Sequence, residues 1–356
     1  MKIGIVTQPL SRNYGGILQN YALQQRLKAL GHTPYTFDLG QFGWCDMVET
    51  NIKSIVKLLI GRPTSFVATP KHRELSERPL RRFVEERISL ITPRSKRPSV
   101  AKVMEYGLDA LIVGSDQVWR PRYNYSIEDM YLAFAKELNI KRIAYAASFG
   151  TDKWEYSYEC QSRCGELLRM FDAISVREDA AVGLCKEHFS VEAKHVLDPT
   201  LLLTAEEYNS LTTTIPQRKR PILFAYLLDR SEQMLSFVHH EAERQGLTAV
   251  VVGAGEELKA NDSIELWLSY FRDAQYVITD SFHGCAFSII FNREFRVLGN
   301  AQRGNSRMES LLRAFCIEDR YGEVHSSEPI DWERINSRLA ELRAYSEEFL
   351  LSSLNK

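Results

Sequence analysis

Several features that would assign a protein class quickly are missing from this 356-residue sequence. It has no run of about 20 apolar residues that could cross a membrane, and its net charge of −1 offers no overall basic field to nucleic acid. The six cysteines are dispersed; only Cys160 and Cys164 lie close together, at helical spacing rather than in a zinc-type pair. The first apolar run is too short for a secretory signal. We therefore expect a cytoplasmic protein with reduced thiols and no metal ligand cluster.

The sequence does have a regular alternation of short apolar, β-rich runs with stretches of helical periodicity. Alternation of this kind predicts parallel sheets covered by helices on both faces. Because the alternation occurs in two series, we expect an α/β fold of two Rossmann-like domains with a cleft between them. The predicted strands are 2–7, 33–39, 109–114, 142–148, 173–177 and 193–197 in the first series, and 221–228, 248–255, 275–280 and 294–299 in the second.

The polar, proline-containing stretch "TTTIPQRKRP" indicates where the first domain ends. We place an N-terminal domain at 1–205 and a C-terminal domain at 206–330. The remaining segment, 331–356, predicts one amphipathic helix.

The stretch 51–102 differs from the rest of the chain in its charge. It contains thirteen Lys and Arg but only four Glu, and it begins with the basic, helix-like sequence "NIKSIVKLLIG". One interpretation is a solvated insertion at the surface. The other is a peripheral contact with anionic lipid headgroups or a lipid diphosphate.

Ligands of open α/β sheets bind beyond the carboxyl ends of the strands, so the residues there are the first candidates. Those after the first strand are Arg12, Asn13, Tyr14, Gly15 and Gly16, where the glycines favour either a close backbone approach to a ligand or a plain tight turn. Those after the strand at 109–114 are Ser115, Asp116, Gln117 and Trp119.

Three of these strand-end residues carry open alternatives. Trp119 can stack on a sugar ring or fill the core. Asp116 can accept a sugar hydroxyl proton or cap a helix. Arg177, which follows the strand at 173–177, can hold a phosphate or carboxylate, or pair with its neighbours Glu178 and Asp179.

The second series ends one strand with the sequence "TDSFHGCAF". Asp280 and Ser281 are candidate caps for the next helix, and Gly284 permits a tight junction between strand and helix. His283 then lies at a helix N-terminus facing the cleft, where it suits acid–base chemistry or forms part of a structural cap. Farther along, Arg303 and Arg307 form either an anion clamp or ordinary surface charge.

Taken in order, the strand-end motifs resemble those of the polysaccharide pyruvyl transferase family. The resemblance runs from about residue 1 to 315, apart from the basic insertion, and rests on "NYGGILQNYALQQRLKALGH", "VGSDQVW", "AYAASFG", "ISVRE", "VLDPTLLL" and "ITDSFHGCAFSIIFN". It implies a GT-B-type arrangement whose C-terminal helix returns to the first domain. It also implies transfer of pyruvate from phosphoenolpyruvate, as a ketal, onto two hydroxyls of a sugar in bacterial capsule or exopolysaccharide synthesis.

The resemblance assigns roles to individual residues. His283 corresponds to the family's general acid or base, and Arg177 to an arginine that helps to hold the donor, which the C-terminal domain is expected to bind; Arg303 and Arg307 correspond loosely to the basic residues after the following strand. Ser281 stands where some members carry an arginine, so Ser281 and Gly284 are placed in the donor site without that charge. The loop 12–16 and residues 115–119 would bind the acceptor. The implied partners are phosphoenolpyruvate, as a substrate rather than a cofactor, and a sugar or lipid-linked oligosaccharide at the cytoplasmic face of the membrane.

Two other functions fit the same fold. A GT-B glycosyltransferase would bind a nucleotide diphosphate, for which the loop "VVGAGEEL" at 251–258 is the candidate. A non-catalytic binding protein would account for Ser281 in place of arginine.

Overall fold

The computed structural model describes residues 1–40, 48, 51–52, 54–55, 70–124, 126–253, 262–299, 305–322 and 328–355. Its first half forms a parallel six-stranded sheet in the order β2-β1-β3-β4-β5-β6. The strands are β1 Lys2–Val6, β2 Thr33–Thr36, β3 Ala110–Val113, β4 Lys141–Ala147, β5 Ala173–Val176 and β6 Lys194–His195. The helices between them are α1 Tyr14–Ala29, α2 Pro70–Arg87, α3 Val100–Tyr106, α4 Tyr158–Leu168 and α5 Asp179–Leu184.

The second half forms a parallel four-stranded sheet in the order β10-β9-β7-β8. The short helix α6, Ala205–Asn209, leads into it. The strands are β7 Ile222–Tyr226, β8 Thr248–Val252, β9 Ala274–Thr279 and β10 Glu294–Val297, and the helices are α7 Glu232–Gln245, α8 Ile264–Asp273, α9 Phe282–Ile290, α10 Ser306–Phe315 and α11 Trp332–Asn355. The two predicted series of parallel strands are therefore confirmed.

Local sequence explains where these elements lie. All four residues of β3 and all five of β7 are buried, as expected for central strands of a sheet covered on both faces. Helix α1 ends before Gly31, whose positive φ of 81° and N–H bond to the Lys28 carbonyl are typical of a glycine at a helix C-terminus. Among the described residues, no helix combines the length and apolarity needed to cross a membrane.

The last helix, α11, connects the two halves. Near its end, Phe349, Leu350 and Leu354 pack with residues of β1, β3 and β4 under the first sheet. Near its start, Ile335 and Leu339 belong to a core that contains second-sheet residues.

Aromatic packing at the start of α1 joins the two domains directly. The Tyr14 ring stacks on Trp267 of α8 at a centroid distance of 5.1 Å and meets Tyr226 of β7 edge-on at 6.0 Å. Tyr14 is buried in this core. This packing contradicts the predicted role of Tyr14 in acceptor binding, because the ring is buried against the second domain.

Candidate active site

A buried ion cluster lies at the carboxyl ends of β3, β5 and β6. Arg177 follows β5; its Nη1 donates to Asp198 Oδ2 at 2.8 Å and its Nη2 to Asp116 Oδ1 at 3.2 Å. The Arg177 side chain is 1% exposed. Its guanidinium also lies 4.4 Å from the centre of the Phe282 ring, which belongs to the second domain. The predicted alternative of an ion pair is thus right in kind, but the partners are Asp116 and Asp198 rather than Glu178 and Asp179.

Further hydrogen bonds fix the Asp198 carboxylate. Its Oδ1 accepts from the Thr200 backbone N–H at 2.9 Å and from the Thr200 hydroxyl at 2.8 Å. The Ser115 hydroxyl lies 3.0 Å from Oδ2. Burial is the largest influence on Asp198 and Asp116 and would raise both pKa values, but Arg177 and His283 together with further charges and hydrogen bonds outweigh it and leave both pKa values below their ordinary range. Both carboxylates are therefore ionised at neutral pH.

His283 reaches this cluster from the second domain. It lies in the first turn of α9, is 5% exposed, and places Nε2 3.9 Å from Asp198 Oδ2. Burial lowers the pKa of the imidazole below its ordinary value, against the opposing effect of Asp198 and Asp116. The ring is therefore neutral at neutral pH, which leaves it able to accept a proton.

Gly15 is what allows the imidazole to come so close to α1. A Cβ added at Gly15 would lie 2.0 Å from His283 Cγ and Nδ1, which no side chain can occupy. Gly15 therefore provides the close approach that was predicted, but to a histidine of the other domain rather than to a ligand. A Cβ at Gly16 would lie 3.0 Å from the Asn13 side chain, a much milder contact.

The junction between β9 and α9 is tight, as predicted for Gly284. A Cβ at Gly284 would lie 2.0 Å from Thr279 Oγ1. The predicted caps are different, however. Thr279 Oγ1 accepts from the Ser281 N–H at 3.1 Å, and Asp280 accepts from the Leu228 and Asp229 N–H groups of the neighbouring loop at 2.6 and 2.8 Å.

Arg307 adds a second cation to the cluster. It is 8% exposed in α10, so the prediction of ordinary surface charge is wrong for this residue. Burial and the neighbouring Arg177 lower its pKa to about 10, with Asp116 acting in the opposite direction. The guanidinium is still protonated at neutral pH. Arg303, the predicted companion, lies outside the described residues, as do residues 254–258 of the "VVGAGEEL" loop.

The residues predicted to bind an acceptor divide into two groups. Asn13 is exposed and donates from Nδ2 to Asp116 Oδ2 at 3.3 Å, while Arg12 and Gln117 are half-buried. Ser115 is fully buried in the Asp198 network. Asp116 is likewise an ion-pair member rather than a helix cap.

Trp119 lies in the core rather than in the cleft. It is fully buried, its ring stacks on Tyr131 at 5.2 Å, and its N–H donates to the Met130 carbonyl at 3.1 Å. This corrects its predicted role in acceptor binding, because the ring has no face left for a sugar.

Most of the chain that forms this architecture matches one protein family. Residues 13–302 match the family model for polysaccharide pyruvyl transferases. The chain belongs to this family. The match includes Gly15, Asp116, Arg177, Asp198 and His283, so the cluster apart from Arg307 lies in the region that matches the family. No curated protein matches this chain significantly.

Solved structures with the same fold are distant in sequence. S. aureus MnaA, solved with UDP, is 11% identical with a TM-score of 0.50, over 98% of this chain and 91% of the other. A UDP-N-acetylglucosamine 2-epimerase from Rickettsia bellii is 10% identical with a TM-score of 0.48, over 99% and 96%. The spinosyn forosaminyltransferase SpnP is 11% identical with a TM-score of 0.44, over 97% and 94%. The chain thus has the predicted GT-B-type fold, which the MnaA structure supports, and an identity this low shows the fold alone.

One residue of the cluster, Asp198, was missing from the candidates drawn from sequence. It lies in "VLDPTLLL", where Asp before Pro predicts a cap of the following turn, and it does accept the Thr200 N–H in that way. Its second oxygen is the one that faces Arg177 and His283. The signal that could have found it is its position directly after a strand, at the same sheet edge as Asp116 and Arg177.

Proposed function

We propose that this chain transfers pyruvate from phosphoenolpyruvate onto two hydroxyls of a sugar as a cyclic ketal. The observation that carries the proposal is His283, a buried neutral imidazole beside the Arg177 and Arg307 cations in a member of the pyruvyl transferase family. Phosphoenolpyruvate is the donor substrate, and the reaction as proposed requires no further cofactor.

The chemistry needs a group that moves protons near the vinyl carbons. C3 of the donor takes up a proton, and C2 becomes electrophilic as its bond to the phosphate oxygen breaks. One sugar hydroxyl attacks C2 and a second closes the ring; both lose their protons, and inorganic phosphate leaves. His283 can accept a hydroxyl proton because it is neutral, and can deliver one once it is protonated.

The charges of the cluster determine how the donor can bind. Phosphoenolpyruvate carries a phosphate and a carboxylate, whereas Arg177 already contacts two carboxylates in this structure. The donor therefore shares Arg177 with Asp116 and Asp198 and depends on Arg307 for further charge. Since Arg177 and His283 are almost inaccessible here, we propose that the domains separate to admit substrates and close over them.

A thermal-shift titration tests the donor without knowledge of the acceptor. Phosphoenolpyruvate at a hundredfold its Kd should stabilise the chain by about 2.7 kcal/mol, a shift of a few degrees. The Arg307→Gln variant should lose most of the shift. Stabilisation by UDP alone would favour a nucleotide-sugar glycosyltransferase instead. Turnover unaffected by His283→Gln, measured by mass spectrometry of pyruvylated sugars, would contradict the role of His283.

We further propose that the acceptor is lipid-linked and that the basic segment 51–102 contacts the membrane surface. Three exposed apolar residues lie just before and at the start of this segment, spaced at i, i+4 and i+7 in sequence: Val48, Ile52 and Ile55 are 49%, 55% and 46% exposed. Lys53 and Lys57 lie between and after them in sequence, outside the described residues. Apolar and basic residues together favour an anionic lipid surface.

Vesicle flotation tests this contact. Ile52→Ser combined with Ile55→Ser should reduce binding to vesicles that contain anionic lipid, and neutral vesicles should bind weakly with or without the change. Met104→Ser is the matched control, since Met104 is 68% exposed elsewhere on the first domain. Equal flotation of the double variant and the wild type would contradict membrane contact through this segment.

A further inference from the structure

Asp198 faces both the fixed cation of the cluster and the histidine of the other domain. Its Oδ2 accepts from Arg177 at 2.8 Å and lies 3.9 Å from His283 Nε2. Its Oδ1 is held by the backbone and hydroxyl of Thr200. All of these donors belong to the first domain, so that domain alone sets the direction in which the carboxylate points.

His283 Nε2 has no comparable support. It is buried and has no hydrogen-bond partner among the residues that the structure describes. The separation of 3.9 Å from Asp198 is about 1 Å longer than an N–H···O hydrogen bond. A small rotation of the ring, or a closing movement of about 1 Å, would bring the two groups into contact.

We infer that Asp198 is the positioning residue for His283, which orients the imidazole across the domain interface and stabilises its protonated form. His283 then becomes a competent acid only when the second domain meets the first. The inference rests on the proposed function in one respect, that His283 carries the proton. The pairing of the two side chains can be tested without any substrate.

The charges that face His283 come from several elements. The carboxylates Asp198 and Asp116 follow β6 and β3 and raise its pKa, whereas burial, Arg177 after β5 and Arg307 in α10 lower it. Asp198→Asn removes a raising group and leaves Arg177 less neutralised, so the pKa of His283 should fall further. Thr200→Val removes one donor from Asp198 and keeps its charge, so the pKa of His283 should rise. The two variants are expected to act in opposite directions.

An NMR titration of the protein labelled with 13C at histidine Cε1 measures this directly. The chain has eight histidines, and His283→Gln assigns the resonance by its disappearance. We expect the wild-type pKa of His283 to lie below 6.5, to fall in Asp198→Asn and to rise in Thr200→Val. An unchanged His283 pKa in both variants would overturn the inference. If Asp198→Asn fails to fold, the direction of the shift in Thr200→Val decides.

A control separates this effect from loss of a buried ion pair in general. Asp38 is 2% exposed and accepts two hydrogen bonds from Arg81, and neither residue is among the charges that shift the pKa of His283. Asp38→Asn should lower stability and leave the His283 resonance and its pKa unchanged. An equal shift in the His283 pKa in Asp38→Asn and Asp198→Asn would show that this pKa responds to any loss of stability rather than to Asp198.

Activity provides a second readout. In Asp198→Asn we expect kcat/KM to fall by about 10²-fold, and the limb of its pH profile that belongs to His283 to move to lower pH. If the wild type shows no turnover with phosphoenolpyruvate but the NMR shifts occur, the proposed function fails while the pairing stands. If turnover is present and the NMR shifts are absent, the pairing fails instead.

Discussion

The carboxyl edges of the two sheets contribute different groups to the site. The first-domain edge supplies Arg177 together with Asp116 and Asp198, whose carboxylates already accept hydrogen bonds from both Nη groups of the arginine. The second-domain edge supplies His283 and Arg307, and the carboxylates that face them belong to the other domain. One edge is therefore a self-contained ion cluster, whereas His283 of the other edge meets its carboxylates only across the domain interface.

This difference separates two kinds of mutational effect. Changes in the first edge should disturb folding, because they leave buried charges without partners. Changes that alter how closely the second-domain edge meets the first should reduce activity with less effect on folding. His283 forms no hydrogen bond through Nε2 among the described residues, so moving the ring breaks none at that atom.

Arg177→Ala should have the largest effect on stability. It leaves Asp116 and Asp198 buried without their cation, which costs about 3–5 kcal/mol in the free energy of unfolding. Urea denaturation measures the loss. Arg313→Ala is the control: Arg313 pairs with Asp179 across the same domain interface, but both side chains are well exposed, so about 0–1 kcal/mol is expected. Equal costs in the two variants would show that the cluster is not self-contained.

Gly15→Ala should abolish most of the activity while the first domain stays folded. The new methyl group cannot coexist with the His283 ring, so the ring or the whole second domain must shift. A displacement of about 1 Å at a reacting group can cost about 10²-fold in rate. Turnover and a small-angle scattering profile measure the two consequences.

Gly183→Ala is the matched control for that substitution. Gly183 lies in α5, and a Cβ there meets nothing within 4 Å. We expect unchanged turnover and a gain of about 0.4–1 kcal/mol in stability. If Gly15→Ala retained wild-type turnover, His283 would not need its present position.

The strands and the edge they share could be predicted from the sequence, because buried parallel strands are short, apolar and regularly spaced. The sequence also placed Arg177, Asp116 and His283 at strand ends, which is where the structure brings them together. The periodicity of apolar residues predicts where each strand ends, and the strand ends alone were enough to place these three residues in the site.

Partners across the domain interface could not be predicted in the same way. Tyr14 and Trp119 look alike as aromatic residues after a strand, yet the structure buries one against the second domain and the other against Tyr131. Asp198 was not among the predicted site residues, and the sequence Asp-Pro accounts only for the oxygen that caps the following turn. What the other oxygen faces depends on how two domains pack, which periodicity does not encode.

Trp119→Phe tests whether the Trp119 side chain belongs to the core or to the cleft. It removes the hydrogen bond to the buried Met130 carbonyl, which should cost about 1–3 kcal/mol in stability and leave the KM for the acceptor unchanged. Trp154→Phe, which removes a partly buried N–H bond to Gln161, is the control and should cost less. A rise in acceptor KM in Trp119→Phe would restore the predicted contact with the sugar.

Acid titration of stability separates the two edges by pH. His283 has a pKa below its ordinary 6.5 in the folded protein, so the unfolded chain binds the proton first and stability should fall as the pH drops below 6.5. Asp116 and Asp198 have pKa values below their ordinary 3.8, so their stabilising contribution is complete above that pH and is lost only below it. Subtracting the profile of His283→Gln from that of the wild type should leave a small slope that begins at pH 6.5, with a further contribution below pH 4 because His283 also lowers the pKa of both carboxylates. A difference confined to the region below pH 4 would mean that replacing His283 acts through the carboxylates of the first edge.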